Sequence, residues 1–160
     1  MTEQLFCEKY DKYKNTVYSV IFNYLRNTHD TADVHQEVFI KLFQTETVFQ
    51  SDDHLKAWLI RVAANLSKNF LRDNKRRSGE ELDENIPYCE ENQDNEILNY
   101  VLYLPEKYRI PLHLFYYEGY SVKQIADVLE IPQGTVKIHL RRGREKLKSV
   151  LEKEGFTYDI

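Results

Sequence analysis

The sequence predicts an all-α fold, with two small helical domains joined by an acidic linker. Three observations lead there. Apolar residues recur at helical spacing in three stretches within residues 2–77. The same spacing returns from Ile97 to Leu147, interrupted by turn and cap residues. Between the two lies GEELDENIPYCEENQDNE, rich in acids, without Lys or Arg and broken by Pro87. A chain of 160 residues has room for two domains of this size. The expected boundaries are residues 1–78, a linker over 79–95, a second domain over 96–153 and a tail over 154–160.

The first helix runs from Thr2 to about Arg26, with Phe6, Tyr10, Tyr13, Val17, Ile21, Tyr24 and Leu25 on one stripe. Asp30 is suited to cap a second helix, whose inner face is Val34, Val38 and Leu42, with Phe39 and Phe43 beside them. Its opposite face carries Asp33, Gln36, Glu37, Ile40 and Gln44. An acidic and amide stripe with an apolar residue set in it suits a docking surface for a protein partner, and equally a solvated face.

Residues Thr45 to Asp53 lack periodicity and read as a loop ending in a cap at Asp53. In the third helix Leu55, Trp58, Leu59, Val62, Ala63, Leu66 and Phe70 form an apolar stripe. Arg61, Asn65, Lys68, Asn69 and Arg72 lie opposite, and the helix runs out through Lys75, Arg76 and Arg77. Cations mixed with amides suit phosphates and exposed base edges.

Beyond the linker, Ile97, Val101 and Leu104 begin a helix that Pro105 stops, and a second continues through Leu112, Leu114, Phe115 and Tyr116. Pro111 removes one hydrogen bond from it. Ser121 and Gln124 have the spacing of a capping box, ahead of Ile125, Ala126 and Leu129. A turn over Glu130 to Pro132 leads into a basic helix in which Val136, Leu140, Gly143 and Leu147 face inward. Gln133, Gly134, Lys137, Ile138 and Arg141 then face outward, where they could enter a major groove. This is a helix-turn-helix.

Composition narrows the function class. With 42% hydrophobic and 30% charged residues and only short apolar runs, no membrane insertion is expected. The N-terminus MTEQLFCEKYDKYK shows no export signal, so a cytoplasmic protein is expected. Cys7 and Cys89 lack the spacing of a zinc site. No phosphate-cradling glycine loop, HExxH or glycine-flanked nucleophilic serine is present, which argues against an enzyme. His35 alternates with Asp33 and Glu37 along a helix and so turns away from both, and no metal or cofactor is expected. The net charge of −4 reflects dilution of two basic helices by the acidic stretch.

The ordered blocks DTADVHQEVFIKLFQ, LKAWLIRVAANLSKNFLRDNKRR and LPEKYRIPLHLFYYEGYSVKQIADVLEIPQGTVKIHLRRGREKL resemble bacterial RNA polymerase sigma factors of the extracytoplasmic-function (ECF) group, which keep regions 2 and 4. The resemblance implies that Asp33, Gln36, Glu37 and Ile40 dock on the clamp helices of the polymerase β′ subunit, with β as a further contact. It implies that Phe49, Ser51, Arg61, Asn65, Lys68, Asn69, Arg72, Lys75 and Arg76 open the −10 element and hold its single strand. It assigns reading of the −35 duplex to Gln133, Gly134, Thr135, Lys137, Ile138, His139, Arg141, Arg142 and Arg144. It also admits an anti-sigma factor as a partner, and leaves all catalysis to the polymerase. The alternative reading is a LuxR-type helix-turn-helix regulator that binds operators on its own.

Overall fold

The computed structural model describes residues 1–78 and 100–155. The expected linker, Ile97 and the tail from Phe156 onward lie outside them. The chain divides into two compact units, Met1–Glu81 and Leu82–Ile160. The described residues of both hold helices and no strand.

The first unit is a bundle of α1 (Glu3–Leu25), α2 (Thr28–Gln44) and α3 (Asp52–Ser78), each packed on the other two. Thr2 starts α1 by accepting the Leu5 N–H at 3.3 Å. The helix ends where Arg26 turns left-handed at φ 60°, its N–H still held by the Phe22 carbonyl. Val17, Ile21, Val38, Leu42, Leu59, Ile60 and Ala63 fill the core and are fully enclosed. Each large aliphatic among them contributes roughly 1.5–3 kcal/mol through its burial.

Three local expectations are corrected here. The second helix is capped by Asn27, not Asp30: the Asn27 side chain accepts the Asp30 N–H and donates to its carboxylate, both at 2.8 Å. Asp30 becomes the reciprocal partner one turn in, close to the positive end of the helix. The third helix likewise begins at Asp52 and not beyond Asp53, because the Ser51 hydroxyl accepts the His54 N–H at 3.1 Å. Phe43 does not join the core but stands 50% exposed.

The inner face of α3 is also wider than the expected stripe. Leu55, Leu59 and Ala63 are buried as expected, and Ile60, Ala64 and Ser67 are buried with them. Trp58, Val62, Leu66 and Phe70 are only half-buried. The reason is that α3 packs on two helices at once, so it buries two adjacent ridges.

In the second unit, residues 100–102 are helical and turn through Leu104 into Pro105. Then come α4 (Glu106–Tyr116), α5 (Val122–Leu129) and α6 (Gln133–Lys153). Pro105 stands at the N-cap of α4, and Pro111 is carried inside that helix. Arg109 is buried and donates from Nη1 to the Leu104 carbonyl, tying α4 to the turn before it. Gly143 of α6 lies against α4 so closely that a Cβ would come within 2.9 Å of Leu112 Cδ1 and 3.1 Å of Tyr108 Cβ. A larger side chain fits only if the Leu112 side chain shifts and Tyr108 gives by a few tenths of an ångström.

The capping box forms as expected. Ser121 Oγ accepts the Gln124 N–H at 3.1 Å, and Gln124 Oε1 accepts the Ser121 N–H at 2.9 Å. Replacing Ser121 with Ala is expected to cost about 1 kcal/mol of local stability. Amide hydrogen exchange across Val122–Leu129 reads this directly, and unchanged protection would show that the box adds nothing.

Candidate nucleic-acid and partner interfaces

The helix-turn-helix is built by α5 and α6. Glu130 takes a left-handed turn at φ 57°, and its N–H stays on the Ala126 carbonyl, as does that of Ile131. Pro132 follows as the N-cap of α6, one position earlier than the first helical residue, and no side chain caps that helix. Val136, Leu140, Gly143 and Leu147 face inward, as their spacing requires.

The opposite face of α6 presents Gln133, Gly134, Lys137, Ile138, Arg141 and Arg142 to solvent. Ile138 is 42% exposed, an apolar residue among cations. Thr135, His139 and Arg144 are half-buried, and two of them are turned toward α4. The His139 ring meets Tyr108 edge-on at 5.7 Å, and Arg144 Nη1 reaches the Tyr116 hydroxyl at 3.5 Å. Burial, with Lys107 and Arg142 nearby, holds His139 below the usual imidazole range. Lys107 and Lys146 lie over the Tyr108 ring at 5.1 and 5.6 Å, adding two cations to this flank.

In the first unit, α3 presents Asn65, Lys68, Asn69, Arg72, Lys75 and Arg76 on its outer face, with Arg61 half-buried at its edge. Arg72 Nε lies 3.8 Å from the Asp73 carboxylate. Trp58, on the expected apolar stripe, is not in the core but half-buried beside this basic face, where it meets Phe49 of the preceding loop at 5.5 Å. Phe49 also meets His54 at 5.4 Å, and the His54 Nδ1 accepts the Gln50 N–H. The loop thus carries an ordered aromatic group. Beside it opens a cavity of about 740 Å³ between residues 45–52 and the start of α1, with exposed Ser51 on its wall.

Asp52, at the head of α3, is gripped from α1. Lys9 Nζ donates to Oδ1 at 2.9 Å, Lys12 Nζ donates to Oδ2 at 2.7 Å, and the Tyr13 hydroxyl reaches the Asp52 carbonyl at 3.3 Å. Lys12, with Lys9, pulls the Asp52 carboxyl down to about 2.

The third surface is the exposed face of α2. Asp33, Gln36, Glu37 and Ile40 are all exposed, Ile40 at 47%. His35 points the other way, donating from Nε2 to the Lys14 carbonyl at 2.9 Å, which gives it a packing role. What the periodicity missed is an apolar shelf alongside. Phe6, Tyr10, Phe39, Ile40 and Phe43 line a shallow groove of about 330 Å³, with Phe43 edge-on to Phe6 at 5.3 Å. Polar residues rim it, as at protein interfaces.

These two units correspond to known families. Residues 10–77 match Sigma-70 region 2, and residues 94–147 match Sigma-70, region 4. The chain is 29% identical over 170 residues to the ECF RNA polymerase sigma factor SigW of Bacillus subtilis, covering 93% of this chain and 90% of that protein. It is 30% identical over 161 residues to the ECF RNA polymerase sigma-E factor of Escherichia coli K12, covering 88% and 83%. A solved structure of the sigma factor RpoE in complex with the anti-sigma factor NepR from Bartonella quintana shares the fold. Its TM-score is 0.76 at 19% identity, over 92% of this chain and 96% of that one. The chain belongs to the ECF group of RNA polymerase sigma factors. The match to region 2 leaves the LuxR-type alternative without support.

Proposed function

We propose that the three surfaces divide the work of promoter-specific initiation between them. The α2 face, with Asp33, Gln36, Glu37, Ile40 and the apolar shelf, docks on core polymerase. The outer face of α3 and the 45–51 loop open the −10 element and hold its non-template strand. Phe49 and Trp58 offer stacking surfaces for unstacked bases, and Lys68, Arg72, Lys75 and Arg76 neutralise phosphates. The α6 face reads the −35 duplex, with Lys137 and Arg141 on base edges or phosphates and the uncapped N-terminus of α6 toward a phosphate. The polymerase supplies the chemistry, and the place of action is the cytoplasm. The likeness to a sigma factor captured with an anti-sigma factor supports an inhibitor protein as a further partner.

The observation that carries this reading is the pair of basic helical faces in separate units, each within the matching sigma region. Weak contacts in the two units act together once both are tethered to polymerase, so the net negative charge is no obstacle. The test is transcription by purified bacterial core polymerase with and without the chain, on upstream fragments of its own genome. Specific initiation that depends on the chain is expected, and its absence together with absent core binding contradicts the proposal. Replacing Gln36 and Glu37 with Lys, which adds one positive charge and reverses one negative one, is expected to weaken core binding about tenfold, without affecting binding to duplex −35 fragments. Unchanged core affinity removes α2 as the docking surface.

A further inference from the structure

The geometry points to Lys9 and Lys12 of α1 as a phosphate contact for the −10 single strand, with Asp52 holding their ammonium groups in position until the strand arrives. This rests on the reading of the 45–51 loop as the strand-holding loop, and extends that site to a helix that neither its spacing nor its composition marks for nucleic acid.

Four observations support it. Lys9 and Lys12 are one turn apart and so share a face of α1, and each takes a different oxygen of the Asp52 carboxylate, at 2.9 and 2.7 Å. A phosphodiester offers the same pair of acceptors in its two non-bridging oxygens. Two ammoniums on one carboxylate leave the triad itself with a unit of positive charge, which suits an anion, with Glu46 as the other acidic residue on the cavity wall. Lys9 also lines the 740 Å³ cavity together with Leu5 and the loop, so a phosphate at this point would belong to a nucleotide whose base enters the cavity. Finally, the pair is on the surface, with Lys12 and Asp52 both 52% exposed, so exchanging one anion for another opens no core. Exposed ion pairs of this kind are weak and exchange readily. The Ser51 cap and the Tyr13 hydrogen bond keep the head of α3 in place when the carboxylate lets go.

The test uses holoenzyme assembled from the full chain and core polymerase. Its probe is the non-template strand across the −10 element of a promoter mapped by the transcription experiment, titrated at several salt concentrations. The double variant Lys9→Gln, Lys12→Gln is expected to bind about tenfold more weakly, with a salt slope shallower by about 1.4, as for two lost phosphate contacts on a single strand. Asp52→Asn frees the lysines and is expected to tighten binding roughly two- to fivefold. Asp53→Asn removes the same charge one residue away and should change it less. If Asp52→Asn weakens binding in step with the lysine variants, the triad is only a structural latch and the proposal falls. If Arg72→Ala lowers the slope while the lysine variant leaves it unchanged, the strand is held without α1, and the sigma-factor reading stands alone. A chain that directs no initiation takes down both.

Discussion

Replacing Lys137 and Arg141 together with alanine is expected to reduce initiation from promoters with an upstream element by roughly 30-fold or more, while binding to core polymerase stays unchanged. The two side chains stand one turn apart on the exposed face of α6, in its N-terminal half. A good base or phosphate contact from such a helix supplies about 1–3 kcal/mol, so two lost together remove most of the recognition. The substitution leaves Val136 and Leu140, which seat α6 on its own unit, untouched. Transcription from an element-dependent promoter, set beside competition for core, separates the outcomes. Equal loss of both activities would contradict the division of labour between the units.

Acidification is expected to destabilise the second unit through His113. This imidazole is 4% exposed, stacks on the Tyr117 ring at 5.2 Å, and has its Nε2 3.9 Å from the Glu118 carboxylate, beyond hydrogen-bond reach. Burial pushes it from 6.5 down to about 4. About a pH unit or more above 6.5 the ring is neutral both folded and unfolded, and contributes almost nothing to pH dependence. Between 6.5 and 4 the unfolded chain takes up a proton that the folded unit refuses, so stability falls as pH falls. The loss approaches about 3 kcal/mol near the lower limit. Amide exchange of α5 at pH 7.5 and 4.5 measures it, and His113→Leu should flatten the difference. A wild-type slope no steeper than the variant's would refute the assignment.

How far these features were legible depends on their range. The capping box at Ser121 and Gln124, the inward set Val136, Leu140, Gly143 and Leu147, and the exposure of Lys137 and Arg141 are visible from spacing alone. They depend on a single helix turn or a single helix face. The caps of α2 and α3 lie two or three residues before the expected ones, because Asn27 and Ser51 are themselves competent caps and accept the N–H of Asp30 and His54, which starts each helix earlier than a cap at Asp30 or Asp53 would.

The misses elsewhere share a different cause. Phe43, Ile60, Ala64 and Ser67 have the same periodicity whichever helix covers them, so only the bundle decides that one is exposed and three are buried. Trp58 moved from the core to the edge of the basic face for the same reason. Lys9 and Asp52 are 43 residues apart, and no local pattern pairs them. The His139 contact with Tyr108 and the Arg144 contact with Tyr116 also join separate helices.

The sequence by itself therefore determined the helical class, the turn chemistry of the DNA-reading motif and the two matched regions, because hydrophobic period and capping are properties of neighbouring residues. The tertiary structure alone decided which apolar side chains form the shelf beside α2, where the loop cavity opens and which cations stand beside it. Those follow from what packs against each helix face, and a single strand of sequence does not specify its neighbours in space.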